Sequence, residues 1–298
     1  MEEEWPMLLL ALVLIMAAAF LHAGWNVLAK VSKDTFALMW WASLFGTFGY
    51  GVWLLSSSGI YLNPGSWVPF IISAIAETGY FVTLVRGYFE GDLSLVYPIS
   101  RGSAPIFTVL WSALVFAEKL PMLGYLGVGL IVCGIFIVSN PINRSESSDG
   151  SWRVSSLFRK NAAGWALASA IFISIYSVSD KVAVVATPPL IYNWWVFAGN
   201  TVLWAPVVWH GSRLRANMKE LRTNLRGIIA TGIAMTTAYG AALAALALTS
   251  ASYVVAGRGF SVVIGAVVGA LLLKESFGSS RIIGALIMVT GLVFIAFS

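Results

Sequence analysis

The sequence predicts an all-α polytopic membrane protein with ten transmembrane helices, arranged as two inverted five-helix repeats. Three observations predict it. Hydrophobic residues make up 59% of the chain and charged residues 10%, against roughly 45–50% and 25% in soluble domains, so most of the surface is suited to lipid. The chain divides into ten apolar stretches of membrane-crossing length. It also matches itself: shifted by 157 positions, Arg101-Gly102 falls on Arg258-Gly259, Ala113-Leu114 on Ala270-Leu271, Glu118 on Glu275, Gly127 on Gly284 and Gly134 on Gly291. A membrane-embedded unit used twice is a common construction of secondary carriers.

In order, the stretches run about Met7–Ala29, Thr35–Leu55, Trp67–Tyr88, Leu93–Phe116, Pro121–Asn140, Ala162–Val182, Pro189–Trp209, Gly227–Thr249, Ala251–Leu273 and Arg281–Ser298. Each is near the roughly 20 residues that carry a helix through a 30 Å hydrocarbon layer. Lipid cannot satisfy exposed backbone groups, so each should be α-helical. The first follows Met1-Glu2-Glu3-Glu4, an acidic opening unlike a secretory signal, and is expected to stay attached. The fourth carries Pro98 and Pro105 on either side of Arg101, where a kink or a broken helix is expected; the second copy brackets Arg258 with Gly257 and Gly259 instead. Gly265 and Gly269 in the ninth stretch, like the glycines of the fifth and tenth, permit close helix approach. The polar connector from Pro141 to Asn161 separates two sets of five. The expected boundaries are a first repeat at 1–142, a linker at 143–160 and a second repeat at 161–298. Five is odd, so the second set enters the membrane from the opposite side. A further echo, at an offset of 154, sets Trp40-Trp41 of the second stretch on Trp194-Trp195 of the seventh.

The net charge of +5 reports orientation and not a nucleic-acid partner. Of the 18 lysines and arginines, fourteen lie on odd-numbered connections, Lys119 and Lys181 on even-numbered ones, and Arg101 and Arg258 inside stretches. The positive-inside rule then puts the odd connections in the cytoplasm and both chain ends outside. One cysteine, Cys133, leaves no intramolecular disulfide or thiolate metal cluster. The two histidines, His22 and His210, lack metal-ligand spacing, and no GxxxxGK[ST] loop is present. An enzyme, a metal centre and a nucleotide-driven pump are therefore disfavoured, and no cofactor is expected.

Polar groups forced to lipid depth are costly and mark where function is to be sought. Glu77 lies halfway along the third stretch and Arg101 about eight residues into the fourth, with the turn at 87–92 midway between them. On antiparallel neighbours they fall at similar depth and are expected to pair, either lining a route or fixing the two helices together. Arg258 repeats Arg101, but at the same offset Glu77 falls on Ala234. Arg258 thus suits a carboxylate or phosphate group, or a carboxylate from elsewhere in the fold, or else reaches water along its own stem. His22, Trp25 and Asn26 share one helical face, open to substrate contact, a proton relay or plain packing. Tyr80 stands one turn beyond Glu77 and Tyr97 one turn before Arg101, as aromatic surface for an amine or as packing. Glu118 and Glu275, beside Lys119 and Lys274 at stretch ends, read as structural.

Two copies of a helix with a late glutamate, Ser112-Ala113-Leu114-Val115-Phe116-Ala117-Glu118 and Gly269-Ala270-Leu271-Leu272-Leu273-Lys274-Glu275, are each followed by a glycine-dotted span. Together with the opening Leu21-His22-Ala23-Gly24-Trp25-Asn26-Val27-Leu28-Ala29-Lys30 and the run Tyr97-Pro98-Ile99-Ser100-Arg101-Gly102-Ser103-Ala104-Pro105, they resemble the EamA family of the drug/metabolite transporter superfamily over essentially the whole chain. The resemblance implies a multi-pass protein of the bacterial inner (plasma) membrane that moves a small metabolite, often an amino acid or amine, by alternating access. The partners it implies are a small-molecule substrate, the lipid bilayer and, as an alternative, protons; a homodimer is compatible with it. Intramembrane charges of both signs suit a polar or zwitterionic substrate such as an amino acid, and the resemblance favours export. Uptake of a cationic amine is the alternative, and a non-transporting scaffold or receptor is the alternative from another class. Burial and a neighbouring Arg101 act in opposite senses on a proton at Glu77, so proton coupling stays open.

Overall fold

The computed structural model describes residues 4–116, 121–139, 161–248, 251–272 and 278–297. Each apolar stretch forms one helix: α1 (Glu4–Val31), α2 (Thr35–Ser57), α3 (Trp67–Glu90), α4 (Leu93–Phe116), α5 (Met122–Ser139), α6 (Ala162–Ala186), α7 (Pro189–Val208), α9 (Leu225–Leu248), α10 (Ala251–Leu271) and α11 (Gly278–Ala296). An additional short helix, α8 (Leu214–Thr223), lies between α7 and α9, where the sequence reading placed only a basic connection. Among the described residues the protein is all-α, with eleven α-helices. Five segments are long and apolar enough to cross a membrane by length and composition: Leu9–Val31, Thr35–Ser57, Pro64–Glu90, Ala162–Ala186 and Leu225–Leu248. Met122–Val138 and Ser280–Phe294 are shorter apolar helices.

Local chemistry accounts for the helix ends. The Asp34 side chain accepts from the Ala37 amide at 3.1 Å and starts α2, satisfying a donor that the first turn leaves orphaned. The same helix ends where Gly59 adopts φ +76°, with the Ser58 and Gly59 amides both closing on the Leu54 carbonyl. Only glycine enters that left-handed region without strain. Helix α4 continues unbroken through Pro98 and Pro105; of the two outcomes expected there, the break is not taken. Glu118, Glu275 and the 143–160 linker lie outside the described residues.

The helices group into two compact units, Met1–Gly79 with Ile175–Gly257 and Tyr80–Ser174 with Arg258–Ser298. Each unit draws on both halves of the chain, and α3, α6 and α10 each pass from one unit to the other.

In the first unit α9 packs against α1, α2 and α7, and α2 packs against α7 and α8. A Cβ on Gly232 would lie 2.5 Å from the Ala42 carbonyl oxygen, so α9 approaches α2 at backbone distance. The α2–α7 crossing is reciprocal. The Trp40 indole donates to the Thr201 carbonyl at 3.0 Å, and the Trp194 indole donates to the Thr47 carbonyl at 3.0 Å. At the 154-residue offset Trp40 corresponds to Trp194 and Thr47 to Thr201, so the two bonds exchange under the repeat. Partners that rise on one helix while they fall on the other make this crossing antiparallel.

In the second unit α5 packs mainly against α11, and both touch α4. The contact is made of the repeated glycines. A Cβ on Gly134 would lie 2.6 Å from the Gly284 carbonyl oxygen, one on Gly284 2.9 Å from that of Gly134, and one on Gly291 2.5 Å from that of Gly127. This pairing is again antiparallel and reciprocal under the repeat. The small-residue spacing read in the sequence therefore serves a contact within one chain.

Candidate functional site

The first unit gathers a set of buried polar side chains from four helices. Helix α3 presents Ser73 and, one turn on, Glu77; α6 presents Tyr176 and Asp180; α7 presents Tyr192; α9 presents Tyr239. Glu77 is 3% exposed and Asp180 2%, although charged groups are rarely buried so fully in apolar spans unless function or pairing holds them there. Asp180 Oδ1 accepts from Ser73 Oγ at 2.7 Å and from the Tyr192 hydroxyl at 3.0 Å. Its Oδ2 accepts from the Tyr239 hydroxyl. Three donors from three different helices fix the carboxylate where the low dielectric makes each bond stronger than in water. The Tyr239 ring stands edge-on to Tyr176, at 6.2 Å, and lies 5.8 Å from Phe197. Two acids among aromatic rings are chemistry suited to a positive charge, whether an ammonium or a proton.

Around this centre run further buried polar contacts of the same unit. Thr78 donates to Asn200 Oδ1 at 2.9 Å, Ser43 and Thr201 share a 2.7 Å hydroxyl bond, and Asn193 Nδ2 donates to the Thr236 carbonyl at 3.1 Å. They tie α2, α3, α7 and α9 together by groups that lipid could not solvate.

His22, Trp25 and Asn26 also belong to the first unit and form one face of α1. The Trp25 indole donates to His22 Nδ1 at 3.3 Å, with the rings edge-on at 4.8 Å, and Asn26 Nδ2 donates to the His22 carbonyl at 2.7 Å. Trp25 and Asn26 are buried and His22 is half-buried.

The other selected residues belong to the second unit. The half-buried Arg101 guanidinium lies over the Tyr80 ring, 5.4 Å from its centroid, a cation–π geometry. Tyr97 is fully buried, its ring seated where a side chain on Gly265 would otherwise be. Arg258 is half-buried. Its carbonyl accepts from Ser261 at 2.6 Å, and among the described residues its guanidinium has no hydrogen-bond or ion-pair partner. Structure thus groups Glu77, His22, Trp25 and Asn26 in one unit and Tyr80, Tyr97, Arg101 and Arg258 in the other.

Sequence reasoning passed over two ionic groups. Asp180 sits near the end of its stretch beside Lys181, and the sequence reading assigns it no role. A signal was nonetheless available, because the 154-residue offset that superposes the tryptophan pairs also lays Asn26 on Asp180. Arg281, counted as a loop cation, is 5% exposed and pairs with Asp92 at 2.8 Å and with Ser94 Oγ at 2.5 Å, joining the start of α11 to the α3–α4 turn.

Among curated proteins none matches this chain. A crystal structure described only as that of a protein is similar over 95% of both chains, with a TM-score of 0.63 at 13% identity, a likeness of fold alone. The model of the EamA-like transporter family matches residues 9–140 and again residues 160–297. Two matches that together span most of the chain place it in the EamA-like transporter family, as a multi-pass membrane transporter and not an enzyme.

Proposed function

We propose that the protein is a secondary transporter exporting a small polar or zwitterionic metabolite, an amino acid or similar compound, by alternating access. The observation that carries this reading is the presence of two almost fully buried carboxylates, Glu77 and Asp180, inside apolar helices, where an ionisable residue is a functional group by default. In this reading Glu77 receives the substrate amine, and Arg101 or Arg258 its carboxylate; the Glu77–Arg101 pairing expected from the sequence belongs to the same proposal. His22, Trp25, Asn26, Tyr80 and Tyr97 supply polar and aromatic surface along the route.

The architecture proposed with it has ten crossings in two inverted repeats, 1–142 and 161–298, joined by the 143–160 linker, with both termini outside. Two antiparallel, reciprocal contacts between repeat-related helices support inversion. The second buried acid, Asp180, favours one alternative, uptake of a cationic amine.

The experiment is counterflow of labelled amino acids and amines in proteoliposomes, with and without an imposed proton gradient. Wild-type protein should exchange a zwitterion, and Glu77→Gln and Arg101→Gln should each lower exchange at least tenfold while inserting normally. Exchange of amines alone would select the alternative reading. Unchanged exchange after both neutralisations would remove the site, and no exchange of any solute would favour a scaffold. Charge exchange, Glu77→Arg with Arg101→Glu, tests the pairing by whether it restores insertion lost in either single variant.

A further inference from the structure

Between α7 and α9 the chain lays α8, Leu214–Thr223, against the α1–α2 connection of its own unit. The docking side is polar. Asn217 and Glu220 are 1% and 4% exposed, and Glu220 Oε1 accepts from Ser32 Oγ at 2.8 Å and from Asn224 Nδ2 at 2.7 Å. Just before the helix, Arg213 faces Asp34 at 4.0 Å and lies 4.7 Å over the Phe36 ring. The acids near α8 are therefore turned to the protein.

The rest of the helix surface is sorted, with Met218 and Leu221 half-buried and the other residues exposed. At about 100° of rotation per residue, Leu214, Met218 and Leu221 fall in one stripe beside the docking side. Arg215, Lys219 and Arg222 fall in the next, and Ala216 and Thr223 complete the circle. The three basic residues are all exposed, as is Arg226 in the first turn of α9, and Leu214 is 47% exposed. A helix carrying protein contacts, apolar residues, cations and small residues in that order is shaped to lie in the plane of a bilayer surface.

We propose that α8 is a binding surface for the anionic phospholipid headgroups of the leaflet beside it. Arg215, Lys219 and Arg222 hold the lipid phosphates, and Leu214, Met218 and Leu221 rest on the acyl boundary. Guanidinium groups suit the phosphate oxygens because they can donate two parallel bonds. Each basic residue near an anionic surface raises affinity about fivefold, so three together supply roughly a hundredfold. The inference needs only a membrane-embedded chain and is independent of what the protein carries.

The test uses the full chain in detergent with added phosphatidylglycerol or phosphatidylcholine, read by native mass spectrometry and thermal unfolding. Wild-type protein should retain phosphatidylglycerol preferentially and gain thermal stability from it. The triple variant Arg215→Gln/Lys219→Gln/Arg222→Gln should lose roughly a hundredfold in that affinity, with its midpoint in phosphatidylcholine unchanged. High salt should remove the preference from wild-type protein by screening, which decides the matter if the variant fails to fold. A spin label at Met218→Cys, in a Cys133→Ala background, should be relaxed more by oxygen than one at Ala216→Cys. Equal phosphatidylglycerol retention by wild type and variant, indifference to salt, or the reverse relaxation order would each overturn the proposal.

Discussion

The α2–α7 crossing of the first unit and the α5–α11 crossing of the second join a helix to its own repeat in opposite chemical ways. In the first, Trp40 and Trp194 each reach across to a carbonyl of the other helix, so large side chains fill the contact and directed bonds set its register. In the second, Gly134, Gly284 and Gly291 leave backbone facing backbone, and register follows from the absence of side chains. Both are isologous: the same patch appears on each partner, so one residue choice is used twice. The difference lies in tolerance. A hydrogen bond can be lost singly at modest cost, whereas a backbone contact has nothing to fold out of the way.

The largest effect should come from the glycine crossing. Gly134→Val and Gly291→Val put a Cβ at 2.6 and 2.5 Å from carbonyl oxygens and should each cost about 3 kcal/mol or more, seen as loss of monodisperse protein on size-exclusion chromatography. Wild-type elution and unfolding midpoints for both variants would show that the helices can separate freely. Next in size, Tyr239→Phe removes a donor from the buried Asp180 carboxylate and should destabilise by about 2 kcal/mol, with transport falling in parallel.

Smaller still, Trp40→Phe and Trp194→Phe should each cost about 1 kcal/mol, one neutral hydrogen bond. Midpoints that differ strongly between these two would break their equivalence. The smallest effect belongs to Gly49→Ala on α2, where a Cβ meets nothing within 4 Å and helix propensity alone changes, by about 0.5 kcal/mol in the stabilising direction. Gly46→Ala on the same helix meets the Thr236 methyl at 2.7 Å, and chemical denaturation should separate the two in sign.

Legibility followed the solvent. Ten apolar stretches could be read because lipid forces long uninterrupted helices, and α4 began at the expected residue, Leu93. The glycines could be read because repetition marked them, although which helix they faced depended on packing. Glu77, Arg101 and His22 stood out as polar groups among apolar neighbours. Asp180 did not, since it lies within seven residues of the end of α6 beside a lysine, and its donors Ser73, Tyr192 and Tyr239 come from three other helices that no local pattern connects. Helix α8 went unread for another reason: its ten residues are polar on average, and only a 3.6-residue period distinguishes them from a loop.

The reciprocal tryptophan bonds carry a consequence for assembly, because each maps onto the other under the repeat. Each half then carries the indole whose acceptor belongs to the other. Two fragments severed between the family-matched segments 9–140 and 160–297 and produced together should accordingly find one another in the bilayer, whereas either fragment alone would display unpaired indoles where its sibling belongs.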